Sequence, residues 1–372
     1  MKSEKRNRKV IISGGGTGGH VFPAIAIADA LKEKDPTIEI RFVGAQGKIE
    51  MEKVPAAGYP IDGLWISGIQ RKLTLKNLLF PFKLISSMWK AHKIIGRFRP
   101  DVAVGVGGYA SYPTLAVAAR RGIPTLIQEQ NCYAGVTNKM LQNKVCTVCV
   151  AYDKMDRYFP KANIIWTGNP VRKDIAELEG KKAEALAHFG FKSDRKTIVI
   201  IGGSLGARTL NDSMGANVAL LAKHPEVQVL WQAGKLYIEE FKDSETARLE
   251  NVRVQAFIKR MDLAYAMADV VIGRAGALTI SELCLVAKPA ILVPSPNVAE
   301  DHQTKNAMAL VEKDAAILVK DKDAKGMIQN AIELLADFDK MTLLSQNIKT
   351  LAKPDAAAQI ADEVMKLIDN QP

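Results

Sequence analysis

The sequence predicts an α/β protein of two domains, each built around a parallel sheet. Short β-branched runs alternate with alanine-rich amphipathic segments along almost the whole chain, a pattern typical of parallel strands covered by helices on both faces. The succession of strand, glycine-rich turn and helix occurs twice, at 9–19 and again at 196–206. A length of 372 residues suits two domains of roughly 100–200 residues each. We therefore expect two Rossmann-like domains, each opening with its own glycine loop.

Apolar runs locate the individual strands. Those expected in the first domain are 9–13, 38–43, 102–106 and 124–128, and those in the second are 197–201, 227–231, 252–254, 270–272 and 290–293. The pair Asn169-Pro170 interrupts regular structure, so we place the domains at 1–168 and 169–353. A last amphipathic helix covers about 356–368. We expect the segment 354–372 that contains it to pack back on the first domain.

The composition is that of a globular protein, with 48% hydrophobic and 24% charged residues. No run approaches the roughly 18 apolar residues of a membrane-spanning helix. The apolar run behind the basic N-terminus is only Val10-Ile11-Ile12, too short for a signal-peptide core of about 7–15 residues. We therefore expect a cytoplasmic protein. Four cysteines in a chain of this size indicate no disulfide framework.

Positive charge is concentrated in the first half of the chain. Residues 1–170 contain 25 Lys and Arg against 12 Asp and Glu, whereas residues 171–372 contain 26 against 28. This asymmetry indicates an anionic partner for the first half: a membrane surface, a nucleic acid or a phosphorylated substrate.

The glycine loops at 14–19 and 202–206 are candidate phosphate sites. Glycines between a strand and a helix let the backbone approach an anion, and the helix start offers N–H groups and the positive end of its dipole. Thr17, Gly18 and Gly19 close the first loop. Neither second strand ends in the Asp or Glu that would hold the ribose of a dinucleotide, and the chain lacks the P-loop pattern. NAD binding and P-loop ATPase activity are therefore not expected.

A third candidate for nucleotide binding is the segment 273–282, which follows an expected strand and opens a helix. The backbone N–H groups of 277–279 would face a diphosphate at the helix start. Glu282 could accept two hydrogen bonds from a ribose diol. Alternatively, it is a first-turn acid that interacts favourably with the helix dipole.

Six motifs, in this order along the chain, resemble those of the MurG family of glycosyltransferases. They are GGGTGGH (14–20), GGY (107–109), QEQN (128–131), GNPVR (168–172), GGSLGAR (202–208) and GALTISE (276–282). The resemblance covers about 10–368 and implies the glycosyltransferase B architecture, with the acceptor on the first domain and the donor on the second. It also implies inverting transfer of N-acetylglucosamine from UDP-GlcNAc to the MurNAc 4-hydroxyl of undecaprenyl-diphospho-MurNAc-pentapeptide (lipid I). The product, lipid II, serves peptidoglycan synthesis at the cytoplasmic face of the cell membrane.

The resemblance further implies no cofactor and no nucleic-acid partner, with other cell-wall synthesis proteins as further partners. It also assigns roles to individual residues. At the donor diphosphate it places Ser204, Ala277, Leu278 and Thr279, with Ile280 and Ser281 in the same binding segment. It places the Ile258 backbone at the uracil, Glu282 at the ribose and Gln303 at the sugar hydroxyls. Asn131 and Arg172 would face the donor. Three positions depart from the family pattern: Gln128, Leu205 and Ala275 stand where His, Gln and Ser are common.

The implied displacement needs a general base for the acceptor hydroxyl. Such a base typically raises the reaction rate by about 10²–10⁴-fold. His20, at the start of the first helix, is our favoured base and Glu129 the second candidate. Each has a structural alternative: His20 would cap its loop, and Glu129 would hold its loop by hydrogen bonds, although burial could also raise its pKa. Backbone N–H groups at a helix start can stabilise the departing UDP in place of a metal.

No metal site is expected. Asp321-Lys-Asp323 and Asp337-Phe-Asp339 lie in polar helical stretches and are interpreted as solvated surfaces rather than ligands. Cys146 and Cys149 have no second cysteine pair and are interpreted as core.

The stretch from Gly63 to Pro100 contains eight Lys and Arg and no Asp or Glu. The basic residues are Arg71, Lys72, Lys76, Lys83, Lys90, Lys93, Arg97 and Arg99, and Leu, Ile, Phe, Met and Trp are interleaved with them. Pro81 is expected to break the stretch into pieces too short to span a bilayer, so that it would lie on an anionic membrane surface. The alternative is an ordinary core with a solvated basic rim.

Three other functions fit parts of the pattern. Two of them use the same donor chemistry: another UDP-sugar-dependent glycolipid glycosyltransferase, and a fold-related UDP-sugar epimerase. The third is a basic nucleotide-binding module without catalysis.

Overall fold

The computed structural model describes residues 7–68, 79–172, 175 and 177–370, and the chain divides into two compact units. The first consists of Met1–Val171 together with Asp355–Pro372, and the second of Arg172–Pro354. Each unit contains one sheet, and every strand pair in both sheets is parallel. The predicted α/β class is therefore confirmed.

The first sheet has the strand order β3-β2-β1-β4-β5-β6-β7. Its strands are β1 (Lys9–Ser13), β2 (Glu39–Ala45), β3 (Ile61–Leu64), β4 (Val102–Gly105), β5 (Thr125–Glu129), β6 (Thr147–Val150) and β7 (Ile164–Trp166). The central strands are buried along nearly their whole length, because helices cover both faces of the sheet. The four runs predicted for this domain correspond to β1, β2, β4 and β5.

The helices that precede the second unit are α1 (Gly18–Lys34), α2 (Glu50–Ala56), α3 (Phe80–Phe98), α4 (Ser111–Arg120) and α5 (Val136–Leu141). Pro81 was expected to break the basic stretch into short pieces, but the piece that follows it is a single helix of 19 residues, α3, which begins beside Pro81. Pro81 lies in its first turn, where the missing N–H costs no intrahelical bond and the fixed φ suits a helix. Residues 69–78 of that stretch, which include Arg71, Lys72, Leu75, Lys76 and Leu78, lie outside the described residues.

The second sheet has the strand order β10-β9-β8-β11-β12-β13. Its strands are β8 (Lys196–Ile201), β9 (Val227–Gln232), β10 (Val252–Gln255), β11 (Val270–Gly273), β12 (Ala290–Leu292) and β13 (Ile317–Leu318). All five runs predicted for this domain are strands. Only β13 was not predicted, because two residues give no periodic pattern.

The remaining helices are α6 (Lys182–Phe189), α7 (Arg208–Ala216), α8 (Val218–Lys223), α9 (Ile238–Phe241), α10 (Met261–Met267), α11 (Ala277–Val286), α12 (His302–Val311), α13 (Met327–Ala336), α14 (Phe338–Thr350) and α15 (Ala356–Asp369). The last of these belongs to the first unit. Its residues Ile360, Ala361 and Val364 are buried in the same core cluster as Val21 and Leu31 of α1. No helix within 7–68, 79–172 and 177–370 is long and apolar enough to cross a bilayer.

Candidate active site

In each sheet, the strand order reverses at one point. In the first, β1 lies between β2 and β4; in the second, β8 lies between β9 and β11. Open parallel sheets bind ligands outside the carboxyl ends of their strands at such points. The glycine segments 14–19 and 107–109 follow β1 and β4, and segments 202–206 and 274–276 follow β8 and β11. Each unit therefore has a candidate site where its topology favours one.

The two glycine segments of the first unit contact each other through their backbones. A Cβ atom on Gly108 would lie 2.2 Å from the Gly15 carbonyl oxygen, and one on Gly14 would lie 2.1 Å from Val106 Cγ2. Gly108 also has a φ of +83°, which glycine adopts without strain. The absence of side chains at these positions lets the two segments touch.

The first turn of α1 follows directly, with Thr17 as an N-cap residue in an extended conformation. The N–H groups of Gly18 and Gly19 belong to this turn, whose amides precede the intrahelical hydrogen bonds. Such amides, at the positive end of the helix dipole, suit a phosphate. The three residues predicted to close the loop therefore lie at a helix start, which is a candidate anion site.

His20 lies in the same turn, beside Gly107. Its Nδ1 is 3.3 Å from Thr17 Oγ1, and a Cβ atom on Gly107 would lie 3.0 Å from its Nε2. The imidazole is half-buried. In the tautomer that carries the proton on Nδ1, Nε2 can accept a proton.

Glu129, at the end of β5, is 2% exposed. Its Oε1 accepts from the Asn131 backbone N–H at 3.1 Å, and its Oε2 accepts from Gly135 N–H at 2.9 Å and from Asn138 Nδ2 at 2.8 Å. Burial raises the pKa of Glu129, and these hydrogen bonds only partly oppose the effect. Because both oxygens hold the turn from β5 to α5, the geometry favours the loop-holding interpretation over a general base.

Buried amides tie Asn169 to the same strand end. Gln128 Nε2 donates to Asn169 Oδ1 at 2.9 Å, and Asn169 Nδ2 donates to the Gln130 carbonyl at 3.0 Å. Gln130 Nε2 in turn donates to Gln128 Oε1 and to the Val106 carbonyl. Gln128, which departs from the family pattern, therefore acts as a structural amide.

The glycine loop of the second unit is also fixed by a close backbone approach. A Cβ atom on Gly234 would lie 2.1 Å from Gly206 N, and one on Gly206 would lie 2.2 Å from the Ala233 carbonyl oxygen. The Ser204 carbonyl accepts from Lys235 N–H at 3.2 Å. Ser204 itself is exposed, as a residue that contacts a ligand should be.

Ile258 is fully buried, and its N–H donates to Gln232 Oε1 at 3.0 Å. The backbone group that can recognise a uracil imide is therefore the Ile258 carbonyl. Gln232 was not predicted.

Glu282 is oriented by a buried tyrosine. Tyr265 of α10 is fully buried, and its hydroxyl donates to Glu282 Oε2 at 2.8 Å. Burial and the nearby Glu282 charge raise the pKa of Tyr265 well above its usual value, and the charge of Arg172 opposes them. The hydroxyl therefore remains a donor and orients the Glu282 carboxylate.

At the start of α11, Gly276 is an extended N-cap residue. Ser281 Oγ donates to the Ala277 carbonyl at 3.0 Å, while Ile280 is 2% exposed. The Ile280 side chain thus belongs to the core. The backbone N–H groups of Ala277, Leu278 and Thr279 are the ones that this helix start can present to a phosphate.

Two side chains of helix α12 form hydrogen bonds with the loops that follow β11 and β12. Gln303 Oε1 accepts from Ser295 N–H at 2.8 Å, and the buried Asn306 donates to the Ala275 carbonyl at 3.4 Å. The Nε2 group of Gln303 is the end that can donate to a sugar hydroxyl.

The described residues contain no cluster of three or more His, Cys, Asp or Glu that could hold a metal. Two sequence interpretations need correction. Asp321 is not a solvated side chain: it pairs with Arg274 at 2.5 Å and accepts from Thr209 Oγ1 at 3.1 Å. Cys149 is buried as predicted, but Cys146, which precedes β6 rather than lying in it, is exposed.

The predicted site residues fall into two groups. Those of the first unit are Thr17, Gly18, Gly19, His20, Glu129 and Asn131; those of the second are Arg172, Ser204, Ile258, 277–282 and Gln303. Sequence reasoning missed the residues that hold them: Tyr265, Gln232, Asn138 and Asn306. A tyrosine in the otherwise apolar segment 263–267 was the one available signal, because a buried hydroxyl needs a partner.

Two family models match the chain. The glycosyltransferase family 28 N-terminal domain matches residues 10–150, and the glycosyltransferase family 28 C-terminal domain matches residues 197–363. The fold and these matches define the class of protein as a family 28 glycosyltransferase.

Individual relatives narrow the class. The UDP-N-acetylglucosamine–N-acetylmuramyl-(pentapeptide) pyrophosphoryl-undecaprenol N-acetylglucosamine transferase of Cytophaga hutchinsonii is 56% identical, covering 98% of each chain. The crystal structure of Acinetobacter baumannii MurG is 28% identical, with a TM-score of 0.75 over 96% of this chain and 99% of that one. The UDP-GlcNAc 2-epimerase of Neisseria meningitidis shares the fold alone, at 13% identity and a TM-score of 0.66 over 97% and 100% of the chains. The chain therefore belongs to the MurG family, as the motifs predicted.

The role of Glu129 can be tested by replacing it with Gln. The NH₂ group of the new amide would face N–H donors from which the carboxylate accepts hydrogen bonds. Each buried polar group left without a partner costs about 1–3 kcal/mol of stability. We expect Glu129→Gln to lower the melting temperature and to speed amide exchange over 130–138. The exposed Glu179→Gln is the control. Unchanged stability with a large loss of kcat would instead return Glu129 to the role of base.

Proposed function

We propose that this chain transfers GlcNAc from UDP-GlcNAc to the MurNAc 4-hydroxyl of undecaprenyl-diphospho-MurNAc-pentapeptide. The observation that carries the proposal is the 56% identity, over 98% of each chain, to a relative named as this transferase. The geometry of both candidate sites agrees with it, since each ends in a helix-start anion site of the kind a diphosphate needs.

The donor is proposed to bind to the second unit. The Ile258 carbonyl would pair with the uracil imide, Glu282 would accept from the ribose, and Gln303 would donate to the sugar. The start of α11 and the exposed Ser204 would bind the diphosphate. As UDP departs, these backbone amides would stabilise the developing charge without a metal.

The acceptor is proposed to bind to the first unit, with its diphosphate at the glycine segments. His20 stands in the first turn of that anion site, so a hydroxyl bound nearby could pass its proton to Nε2 as the sugar bond forms. The attack on the face opposite to UDP would invert the anomeric centre in one step. Asn131 and Arg172 would complete the donor contacts.

Release of UDP tests the reaction. We expect release from UDP-GlcNAc only when a short-chain lipid I analogue is present, with a disaccharide product. Formation of UDP-ManNAc without acceptor would favour the epimerase. Binding of UDP-GlcNAc with no turnover would favour the non-catalytic module.

A membrane surface is proposed as a further partner, on the exposed face of α3. Phe82, Ile85 and Trp89 are 66%, 68% and 62% exposed, and their spacing places them along one side of the helix. Lys93 Nζ lies 3.5 Å from the centre of the Trp89 ring. An apolar stripe with flanking cations is typical of a surface that lies in the headgroup region of a bilayer.

Basic residues continue from α3 onto α4. A cavity of about 520 Å³ is lined by Met88, Trp89, His92, Val117, Arg120 and Arg121, and Arg121 lies 2.6 Å from His92 Nε2. Attraction to anionic lipid contributes roughly 1 kcal/mol to the free energy of membrane binding for each basic residue near the surface. Together with the stripe, these residues would hold the enzyme beside its lipid-linked acceptor at the cytoplasmic face of the membrane.

The donor assignment predicts a binding defect. Glu282→Ala should raise the KM for UDP-GlcNAc and the inhibition constant of UDP together, by about tenfold, because the ribose contact is made in ground and transition states alike. Glu312→Ala, which removes an exposed acid directly after α12, should behave as wild type in the same kinetic assay. Unchanged affinity for UDP in a folded Glu282→Ala would refute the ribose assignment.

The base assignment predicts a chemical defect. His20→Ala should lower kcat by about 10²-fold or more while UDP binding is retained. His20→Asn keeps a polar group that can bond Thr17, so it separates capping from proton transfer. If His20 only caps its loop, Asn restores kcat; if it is the base, Asn does not.

The membrane assignment predicts loss of vesicle binding. Replacing Phe82, Ile85 and Trp89 together with Ser should weaken binding to anionic vesicles at least tenfold, since each large apolar side chain contributes about 1.5–3 kcal/mol when buried. Activity on a water-soluble acceptor should be retained. Phe338→Ser, 80% exposed in the second unit, is the matched control. Equal co-sedimentation of the triple variant and wild type, or insensitivity of binding to salt, would contradict the assignment.

A further inference from the structure

Glu50, the first residue of α2, is a buried carboxylate that no step of the proposed reaction uses. It is 1% exposed, whereas acids in the first turn of a helix usually meet the dipole at the surface. A buried carboxylate is costly unless it is hydrogen-bonded. Its partners therefore indicate what it does.

Both oxygens of Glu50 accept backbone hydrogen bonds from different parts of the first unit. Oε2 accepts from Gly16 N–H at 2.8 Å, and Oε1 accepts from Ala45 N–H at 2.9 Å. Gly16 belongs to the glycine loop after β1, and Ala45 ends β2. The carboxylate thus anchors the loop to the end of the neighbouring strand.

The carboxylate also occupies space that glycines leave open. A Cβ atom on Gly15 would lie 2.1 Å from Glu50 Oε1, and one on Gly44 would lie 2.5 Å from Glu50 Cγ. On its other side, the Gly15 peptide contacts Gly108. The loop is therefore held between Glu50 and the second glycine segment.

The charge of Glu50 does not itself attract an anion to the loop. A carboxylate bonded to the back of an anion-binding loop repels a diphosphate, and it uses the Gly16 N–H that could otherwise bind a phosphate. Any contribution of Glu50 to the binding of an anion therefore comes from the loop geometry that it maintains. With Gly16 engaged, the amides offered to the ligand are those of Gly18 and Gly19, in the first turn of α1.

We infer that Glu50 is a positioning residue for the acceptor: it holds the glycine loop so that the first turn of α1 faces the acceptor diphosphate. The inference rests on the proposed function, because it takes this loop as the acceptor diphosphate site. It assigns Glu50 no contact with substrate and no proton transfer.

The test compares Glu50→Gln with Glu52→Gln, which changes an exposed acid on the same helix. An amide cannot accept from both N–H groups, so the loop loses one anchor. In Glu50→Gln we expect the KM for a lipid I analogue to rise about tenfold. Inhibition by inorganic pyrophosphate, competitive with the acceptor, should weaken to a similar degree. Affinity for UDP should be unchanged, and Glu52→Gln should match wild type.

The sign of the pyrophosphate effect separates the explanations. If Glu50 acted only as a nearby negative charge, its neutralisation would strengthen pyrophosphate binding. If it only stabilised the fold, kcat would fall with the folded fraction while both KM values stayed constant. Either result overturns the inference.

Glu50→Asp gives a second measurement if Glu50→Gln does not fold. It keeps the charge but is one methylene too short to reach both amides. We expect weaker pyrophosphate inhibition and faster exchange at the Gly16 amide, and wild-type values for both would overturn the inference. Failure of the proposed function is distinguishable, because the wild-type protein would then release no UDP in response to the acceptor.

Discussion

Contact between bare peptide backbones at the carboxyl ends of the strands is the constraint on which both candidate sites depend. Gly15 touches Gly108 in the first unit, and Gly206 touches Gly234 in the second. A methyl group on Gly108, Gly206 or Gly234 would collide with the backbone of the facing loop, and one on Gly15 would collide with the Glu50 carboxylate. As a result, peptide N–H groups with fixed directions line each site. Such donors need little reorganisation when charge develops on a ligand.

The two units share a sheet topology with one reversal point, and their candidate sites differ in the buried polar group that supports each of them. In the second, the Tyr265 hydroxyl donates to Glu282 and orients its carboxylate. In the first, the Glu50 carboxylate bonds the loop itself and leaves His20 as the titratable group of the loop. The sheet topology determines where each candidate site lies, and these buried polar groups determine how its loops and side chains are oriented.

The strands could be predicted because parallel strands buried on both faces consist of apolar runs, and β1 begins and ends at its predicted residues. Errors arose where the deciding partner is distant in sequence, or where the start of a helix was not known. Asp321 looks solvated in its polar segment, but Arg274 pairs with it from 47 residues away. Pro81 looks like a helix breaker until the helix is known to start beside it. Glu50 and Tyr265 were missed for the same reason: a carboxylate and a hydroxyl show their roles only through the groups that they bond.

The return of α15 to the first unit has a consequence for synthesis of the protein on the ribosome. The sheet of the first unit emerges early, but Ile360 and Val364 complete its core only after the whole second unit has been translated. Domains generally fold as units in the order of synthesis. Here the second unit, contained within 172–354, can finish folding first. Until then the apolar side chains of α1 that pack against α15 stay uncovered, and exposed apolar surface of this kind makes a folding intermediate prone to aggregation.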